Sequence, residues 1–211
     1  MRAVIFDLWD TLVEWPAAEA AALQQRIAAL VGVGDAEFGR RWADGYRRSQ
    51  TGPLAAAYGA LGVPGEHVEA EVAARHEFGR RVLRPRDGAT AVLAELRRRG
   101  LRLGLISVCS EEVPAAWPET ELAGLFDAAT FSSECGLMKP EAAIYLRTAR
   151  ALGVEPRDCL FVGDGANDEL GGAARVGMTP VLFVPGAPLW HGLAGWAGLR
   201  ISSMEEVLEL C

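Results

Sequence analysis

An aspartate that directly follows a short apolar run is the first residue of this sequence that could do chemistry. Residues 3–6 read Ala-Val-Ile-Phe, and the run ends at Asp7. A short run with β-branched and aromatic residues is typical of a buried strand, and α/β sheets bind ligands at the carboxyl ends of their strands. A carboxylate there can attack an electrophile or hold a metal ion, although it can also simply cap the next turn.

Two further groups of polar residues follow apolar segments later in the chain. Ser107 comes after residues 101–106, and Asp164 and Asp168 come after residues 159–162, with mostly small residues between the two acids. Carboxylate oxygens on such a loop suit Mg²⁺, which takes one or two carboxylates together with water and phosphate oxygens. Taken singly, the serine is more typical of an N-cap or turn, and the Gly/Asn/Asp-rich loop is equally typical of an ordinary turn.

Lys139 is the single lysine in a chain whose 21 basic residues are otherwise all arginine. The two side chains are not equivalent, because the lysine ammonium is a compact point charge and the arginine guanidinium is a planar fork. A site that crowds carboxylates and a phosphate around one small cation would select lysine. The alternative is a chance surface lysine before the helix-starting Pro140.

The elements that must position these residues alternate between helix and strand after Pro85, which predicts an α/β fold with a mainly parallel sheet and helices on both faces. Residues 15–84 are different, because their Ala- and Arg-rich pattern contains no strand candidate and predicts only helices. The predicted strands are residues 3–6, 101–106, 129–131, 159–162, 181–184 and 199–201. The predicted helices are residues 16–30, 35–48, 53–62, 66–82, 87–99, 140–152, 169–176 and 204–210.

Composition narrows the classes of function. The chain has 211 residues, a net charge of −7 and no basic block, which argues against binding of nucleic acid or a membrane surface. No apolar stretch reaches the ~18 residues of a membrane span, the chain starts directly with a strand rather than a signal peptide, and its cysteines have no zinc spacing. We therefore expect a cytoplasmic monomer or homodimer.

Residues 7–12, Asp-Leu-Trp-Asp-Thr-Leu, resemble motif I of the haloacid dehalogenase superfamily, which usually reads Asp-x-Asp-Gly-Thr-Leu. Ser107, Lys139 and the Asp164/Asp168 loop resemble motifs II to IV in the same order. The helical segment looks like the helical cap that this family inserts after motif I. The resemblance implies a Rossmann-like core domain of residues 1–14 and 85–211 and a cap domain of residues 15–84.

The resemblance also implies roles for these residues. Asp7 would be the nucleophile that forms an aspartyl-phosphate from a small phosphorylated substrate, and Ser107 would hydrogen-bond a phosphoryl oxygen. Lys139 would neutralise the nucleophile and the transferring group. Mg²⁺ would be held by Asp7, the backbone carbonyl of Trp9 and Asp164, with Asp168 binding it directly or through water.

The sequence departs from the family at the residue that normally shuttles protons. Trp9 stands where the second Asp of motif I acts as general acid and base, and Asp10 stands in the place of the usual Gly. General acid–base catalysis contributes about 10²–10⁴-fold, so esters with poor leaving groups should suffer most. Three functions stay open: a Mg²⁺-dependent phosphatase, which Asp164 favours, a metal-independent 2-haloacid dehalogenase, and a non-catalytic protein that binds a phosphorylated ligand.

Overall fold

Six parallel strands form the single sheet of the described chain, which comprises residues 1–186, 193 and 196–211 of a computed structural model. The strands lie in the order β3-β2-β1-β4-β5-β6, so the sequence order reverses on either side of β1. Ligands bind at the carboxyl ends of strands where such a reversal occurs. The strands are β1 Ala3–Phe6, β2 Arg102–Ser107, β3 Ala128–Phe131, β4 Cys159–Gly163, β5 Thr179–Phe183 and β6 Leu199–Ile201.

Nine α-helices lie within the described residues, and none of them is long and apolar enough to cross a membrane. They are α1 Ala17–Val31, α2 Asp35–Thr51, α3 Leu54–Leu61, α4 Gly65–Val82, α5 Ala89–Arg98, α6 Glu112–Ala116, α7 Ser132–Cys135, α8 Ala142–Leu152 and α9 Glu169–Arg175. Short 3₁₀ turns occupy Trp117–Glu119, Ala123–Leu125, Pro156–Asp158, Ala166–Asp168 and Glu205–Glu209.

Alternate residues of β1 face two different apolar clusters, which confirms the predicted α/β fold with helices on both faces of the sheet. Val4 and Phe6 pack in the cluster that includes Leu93 of α5. Ile5 packs in the opposite cluster, which includes Ile144 of α8. Every residue of β1 is buried. A strand covered on both faces needs an unbroken apolar run, and this is why residues 3–6 carry no polar side chain.

Helices α1 to α4 contribute an apolar cluster of their own, which includes Ile27, Phe38, Leu54 and Tyr58. We call these four helices the inserted helices. The division into a core of residues 1–14 and 85–211 and a cap of residues 15–84 remains our proposal. Its support is that the inserted helices follow β1 directly and bury their apolar side chains against one another.

Some elements differ from the sequence-based expectation. Ser107 is the last residue of β2 instead of the first residue after it. The final predicted helix is a 3₁₀ turn over Glu205–Glu209. Helices α6 and α7 were missed, because five and four residues are too few to show a helical repeat of apolar positions.

Gly104 of β2 lets α8 pack directly on the sheet, and this close approach can be tested. A Cβ at this position would lie 2.9 Å from Leu152 Cδ1 and 3.0 Å from Thr148 Cγ2. We expect Gly104→Ala to lower the free energy of unfolding by about 1–3 kcal/mol, because the added methyl overpacks the core. Urea denaturation measures this.

Gly39→Ala is the matched control, since Gly39 lies in the exposed middle of α2 with no atom within 4 Å of its added Cβ. That substitution should raise the free energy of unfolding by up to about 1 kcal/mol, because alanine is the better helix former. Equal effects of the two substitutions would contradict the packing described for β2 and α8.

Candidate active site

Asp7 lies at the carboxyl end of β1 with its backbone and both carboxylate oxygens held in place. Its backbone N–H donates to Val162 O at 2.9 Å, which joins the end of β1 to β4. Thr11 Oγ1 donates to Asp7 Oδ2 at 3.2 Å, and Lys139 Nζ donates to Asp7 Oδ1. The carboxylate is 5% exposed, so it is a fixed and nearly dry group at the edge where ligands bind.

The turn after Asp7 depends on the unusual backbone of Asp10. Asp10 has a φ of 57°, in the left-handed region that glycine, asparagine and aspartate tolerate best. This accounts for the glycine that the related motif usually carries there. The Asp10 carboxylate accepts a hydrogen bond from the Trp15 backbone N–H at 3.0 Å through one oxygen, so it caps the turn, and the residue borders the same cavity as Asp7.

Arg86 holds the same turn from the other side, a role that the sequence did not reveal. Its Nε donates to Thr11 O at 3.2 Å and its Nη2 donates to Asp10 O at 3.4 Å. The guanidinium lies 5.5 Å from the centre of the Phe183 ring. Arg86 therefore fixes the loop that carries Trp9, and no local sequence signal separates it from the other arginines.

Lys139 reaches into the site and bridges two acids. Its Nζ donates to Asp7 Oδ1 and to Glu169 Oε2. Glu169, the first residue of α9, is completely buried, and its Oε1 accepts the Gly165 N–H at 2.9 Å. Both oxygens of Glu169 are thus occupied, one by the lysine and one by the backbone. Glu169 is a positioning residue for Lys139.

Gly163 makes room for this arrangement. A Cβ at Gly163 would lie 2.0 Å from Glu169 Oε1, so any larger residue would displace the carboxylate. The sequence analysis missed Glu169. The available signal was the lone lysine itself, because a buried ammonium needs more than one acceptor, and Glu169 is the next acid after Asp168.

Three buried acids gather at this point of the site. One carboxylate oxygen from each of Asp7, Asp164 and Glu169 lies within 4.8 Å of the others, and Lys139 donates to two of these residues, Asp7 and Glu169. Carboxylate oxygens are hard donors of the kind that a divalent cation takes.

The pKa values of Asp7, Glu169 and Lys139 are shifted by burial and by their opposite charges. Burial raises the pKa of Asp7, and burial raises the pKa of Glu169 well above its usual range; the Lys139 ammonium offsets this only in part. Burial by itself would lower the pKa of Lys139, but the carboxylates of Asp7 and Glu169 outweigh it and raise that pKa. Burial and the opposite charges thus act against each other on all three pKa values.

Asp168 and Ser107, two further predicted site residues, are not part of this cluster of acids. Asp168 is outside it, because its side chain is 62% exposed and pairs with Arg175 at 2.9 Å. Ser107 is fully buried, and its Oγ has no hydrogen-bond partner among the described residues. A buried hydroxyl without a partner is rare in proteins, and Ser107 itself is not among the residues that line the cavity above the cluster.

A cavity of about 650 Å³ opens above the cluster. Its polar floor includes Asp7, Lys139 and Asp164, and backbone from residues 108–110 and 164–168 borders it. Its walls come mainly from the inserted helices and the turn after β1, and they combine aromatic side chains with polar ones such as Gln24 and Gln50. The aromatic residues are Trp9, Trp15, Trp42 and Tyr46. The cavity is large enough for a small molecule to reach the Asp7 carboxylate.

Comparisons with known proteins agree with this arrangement. A family model for haloacid dehalogenase-like hydrolases matches residues 1–177. The chain is 30% identical over 200 residues to the glyceraldehyde 3-phosphate phosphatase of Methanopyrus kandleri, an alignment that covers 86% of this chain and 83% of that protein.

Two solved structures share the fold over the full length of this chain. The HAD phosphatase from Thermococcus onnurineus has a TM-score of 0.75 at 22% identity, with 97% of its chain covered. The 2-haloacid dehalogenase from Pseudomonas syringae pv. Tomato DC3000 has a TM-score of 0.67 at 22% identity, also with 97% covered. Because phosphatases and dehalogenases are both similar at this level, these structures speak for the fold and leave the reaction open.

The requirement for a compact cation at position 139 is testable by Lys139→Arg. A planar guanidinium is too large for the space between Asp7 and Glu169, so we expect the free energy of unfolding to fall by about 2 kcal/mol or more. The reverse change at an exposed pair, Arg98→Lys beside Glu95, should cost well under about 1 kcal/mol. A Lys139→Arg protein as stable as the wild type would make the lone lysine an accident of composition.

Proposed function

Because the chain belongs to the haloacid dehalogenase-like hydrolases, as the family match over residues 1–177 shows, we propose that it is a phosphatase acting on a small phosphorylated metabolite through Asp7. One observation carries this proposal: the Asp7 carboxylate borders the cavity, accepts a hydrogen bond from Lys139 and lies within 4.8 Å of carboxylate oxygens of Asp164 and Glu169. The phosphatase name of the Methanopyrus kandleri relative supports the same class of reaction.

The reaction proposed for Asp7 has two steps. In the first, a carboxylate oxygen of Asp7 attacks phosphorus, and the bond from phosphorus to the ester oxygen breaks with its electron pair on the leaving oxygen. In the second, water attacks the phosphorus of the aspartyl-phosphate, which releases inorganic phosphate and restores the carboxylate. Phosphoryl transfer of this kind depends mainly on positioning and charge stabilisation.

Lys139 and Ser107 supply part of that stabilisation. The Lys139 ammonium, held by Glu169, stands next to the attacking carboxylate and faces the charge of the transferring group. The free Ser107 hydroxyl donates to a phosphoryl oxygen in the proposed complex, which would satisfy its buried Oγ. Both groups are preorganised, so little reorganisation is needed when the negative charge develops.

Mg²⁺ fits the remaining donors. Asp7, Asp164 and the Trp9 carbonyl would hold it, and Asp168 would contribute directly or through water. A backbone carbonyl serves as a ligand whatever its side chain, so Trp9 is compatible with this role. The ion would supply a positive charge for the phosphoryl oxygens.

Trp9 limits what this site can do. The indole neither protonates a leaving oxygen nor accepts a proton from water at neutral pH. Asp10 does not replace the missing acid, because its carboxylate is bonded to the Trp15 N–H. Substrates whose leaving oxygen departs without a proton are therefore favoured, and breakdown of the phosphoenzyme should be slow.

Dehalogenation is the competing function, and Trp9 is the observation that favours it. The 2-haloacid dehalogenases resemble this chain in having an aromatic residue in the place of the second Asp of motif I, and they use no metal. Asp164 weighs against this function, because a second carboxylate beside Asp7 without a metal would only repel the nucleophile's charge. A non-catalytic binding protein for phosphorylated ligands is the third possibility.

Release of phosphate from an activated ester tests the proposed function. With 4-nitrophenyl phosphate and Mg²⁺, we expect measurable phosphate release that Asp7→Asn abolishes. Asp10→Asn is the matched control, because it changes a neighbouring acid whose carboxylate is bonded to the backbone, and it should keep most of the activity.

The other outcomes separate the rival functions. Chloride release from 2-chloropropionate without added metal, lost in Asp7→Asn, would replace the phosphatase by the dehalogenase. Binding of a phosphate mimic such as orthovanadate with no turnover of any activated phosphate would leave the non-catalytic protein.

Calorimetry of Mg²⁺ binding tests the metal site with two acids of the same loop. We expect Asp164→Asn to weaken binding by more than about 100-fold, because it removes a direct ligand. Asp168→Asn should weaken it by only about 10-fold, the lower end of the range for groups outside the direct ligands, since Asp168 already pairs with Arg175. Undiminished binding in Asp164→Asn would refute the site.

A further inference from the structure

Three aromatic side chains form a row of ring contacts beside the site: Trp9 and Trp15 border the cavity, and Phe78 is buried at the end of the row. Trp9 and Trp15 meet edge to face with ring centres 5.0 Å apart, and Trp15 meets Phe78 of α4 at 6.5 Å. Trp9 and Trp15 both line the cavity above Asp7. Trp15 keeps 37% of its surface exposed, so an aromatic face is left open inside a cavity instead of being used in the core.

A buried ion pair of Arg75 and Glu112 lies next to Phe78. The Arg75 guanidinium lies 4.8 Å from the centre of the Phe78 ring, and Arg75 Nε donates to Glu112 Oε1 at 2.8 Å. The Glu112 side chain is only 1% exposed, yet both residues border the cavity. The other carboxylate oxygen, Glu112 Oε2, has no hydrogen-bond partner among the described residues.

Gly79 explains why this pair is so well enclosed. A Cβ at Gly79 would lie 3.0 Å from both Glu112 Cγ and Glu112 O, so only glycine lets α4 approach α6 this closely. Arg75 lies one helical turn before Gly79 on the same face of α4. The close approach therefore brings Arg75 against Glu112 and compensates its charge.

The described residues that border the cavity thus include no unpaired cation for a second anionic group of a substrate. Within the described chain, the basic residues that border the cavity are Arg75 and Lys139, and each is paired with a carboxylate. A carboxylate on the leaving group would meet Glu112 and an arginine that is already neutralised. The site therefore disfavours such substrates through repulsion and unpaid desolvation.

We propose that the substrate is an aryl phosphate, whose leaving group is an uncharged planar ring that stacks on Trp15 and donates a hydrogen bond from its edge to Glu112 Oε2. This inference rests on the proposed phosphatase function. It accounts together for three observations: the exposed part of Trp15, the Glu112 Oε2 atom that has no hydrogen-bond partner among the described residues, and the tryptophan in place of an acid at position 9. When Asp7 attacks phosphorus, the bond to the aryl oxygen breaks with its electron pair on oxygen, and the phenolate leaves without needing a proton.

Binding of non-hydrolysable phosphonates to the wild-type enzyme tests the ring preference without turnover. Benzylphosphonate replaces the ester oxygen of an aryl phosphate by a methylene, cyclohexylmethylphosphonate matches its size without aromaticity, and 2-carboxyethylphosphonate adds a charge. By calorimetry in the presence of Mg²⁺, we expect benzylphosphonate to bind about 3- to 10-fold more tightly than the cyclohexyl compound. The carboxylated compound should bind most weakly.

Two variants locate the preference. Trp15→Leu should remove the difference between benzyl and cyclohexylmethyl ligands. Trp196→Leu should preserve it, because Trp196 donates to Leu199 O and does not border the cavity.

Glu112→Gln frees the Arg75 charge and should raise the affinity for 2-carboxyethylphosphonate about tenfold. If that variant fails to fold, the wild-type series and Trp15→Leu still decide.

The failures are distinguishable. Equal affinities for the benzyl and cyclohexylmethyl ligands, or tightest binding of the carboxylated ligand, would overturn the aryl phosphate assignment and leave the phosphatase intact. Failure of every phosphonate and of orthovanadate to bind would overturn the phosphatase as well.

Discussion

The ammonium of Lys139, held between Asp7 and Glu169, is the interaction on which the rest of the site depends. A buried ammonium is costly unless its hydrogen bonds are satisfied, and here two carboxylates from different strand ends satisfy it. In return the lysine makes it possible to keep acids close together in a nearly dry place. Asp7 is therefore at once a structural partner and the proposed nucleophile.

The local backbone follows from that constraint. Gly163 has no side chain because the Glu169 carboxylate occupies the space, and the Gly165 N–H holds the second oxygen of Glu169. On the other side, Asp10 turns the chain sharply after β1. Arg86 holds this turn by donating to the backbone carbonyls of Asp10 and Thr11. The glycine at the end of β4 is thus required by the packing of the Glu169 carboxylate that holds Lys139. Carboxylate oxygens of Asp7, Asp164 and Glu169 lie close together there, and we propose Mg²⁺ as the ion that completes the site.

The sequence predicted the fold and the meeting of acids at the strand ends. Asp7 and Asp164 follow apolar runs, and parallel strands bring their carboxyl ends to one edge, where the two carboxylates lie close together. The catalytic roles of Asp7, Ser107, Lys139 and Asp164 remain predictions. Glu169, Arg86 and the Arg75–Glu112 pair escaped prediction, because their roles come from contacts between segments far apart in the chain. In a sequence with many arginines and acids, no periodicity identifies which of them is buried. The helices of residues 17–82 were visible from their pattern, but the contacts of Trp15 with Trp9 and with Phe78 of α4 were not.

Covalent phosphate on Asp7 is the most direct measure of the central claim, that the Lys139-held carboxylate attacks phosphorus while Trp9 leaves the second step unassisted. Rapid-quench mixing of the Mg²⁺-loaded enzyme with 4-nitrophenyl phosphate should give a burst of 4-nitrophenolate that approaches one equivalent, followed by slow turnover. Mass spectrometry of the quenched protein should place the phosphate on Asp7. Steady turnover with no burst and no phosphate on Asp7, or phosphate on another residue, would contradict the account.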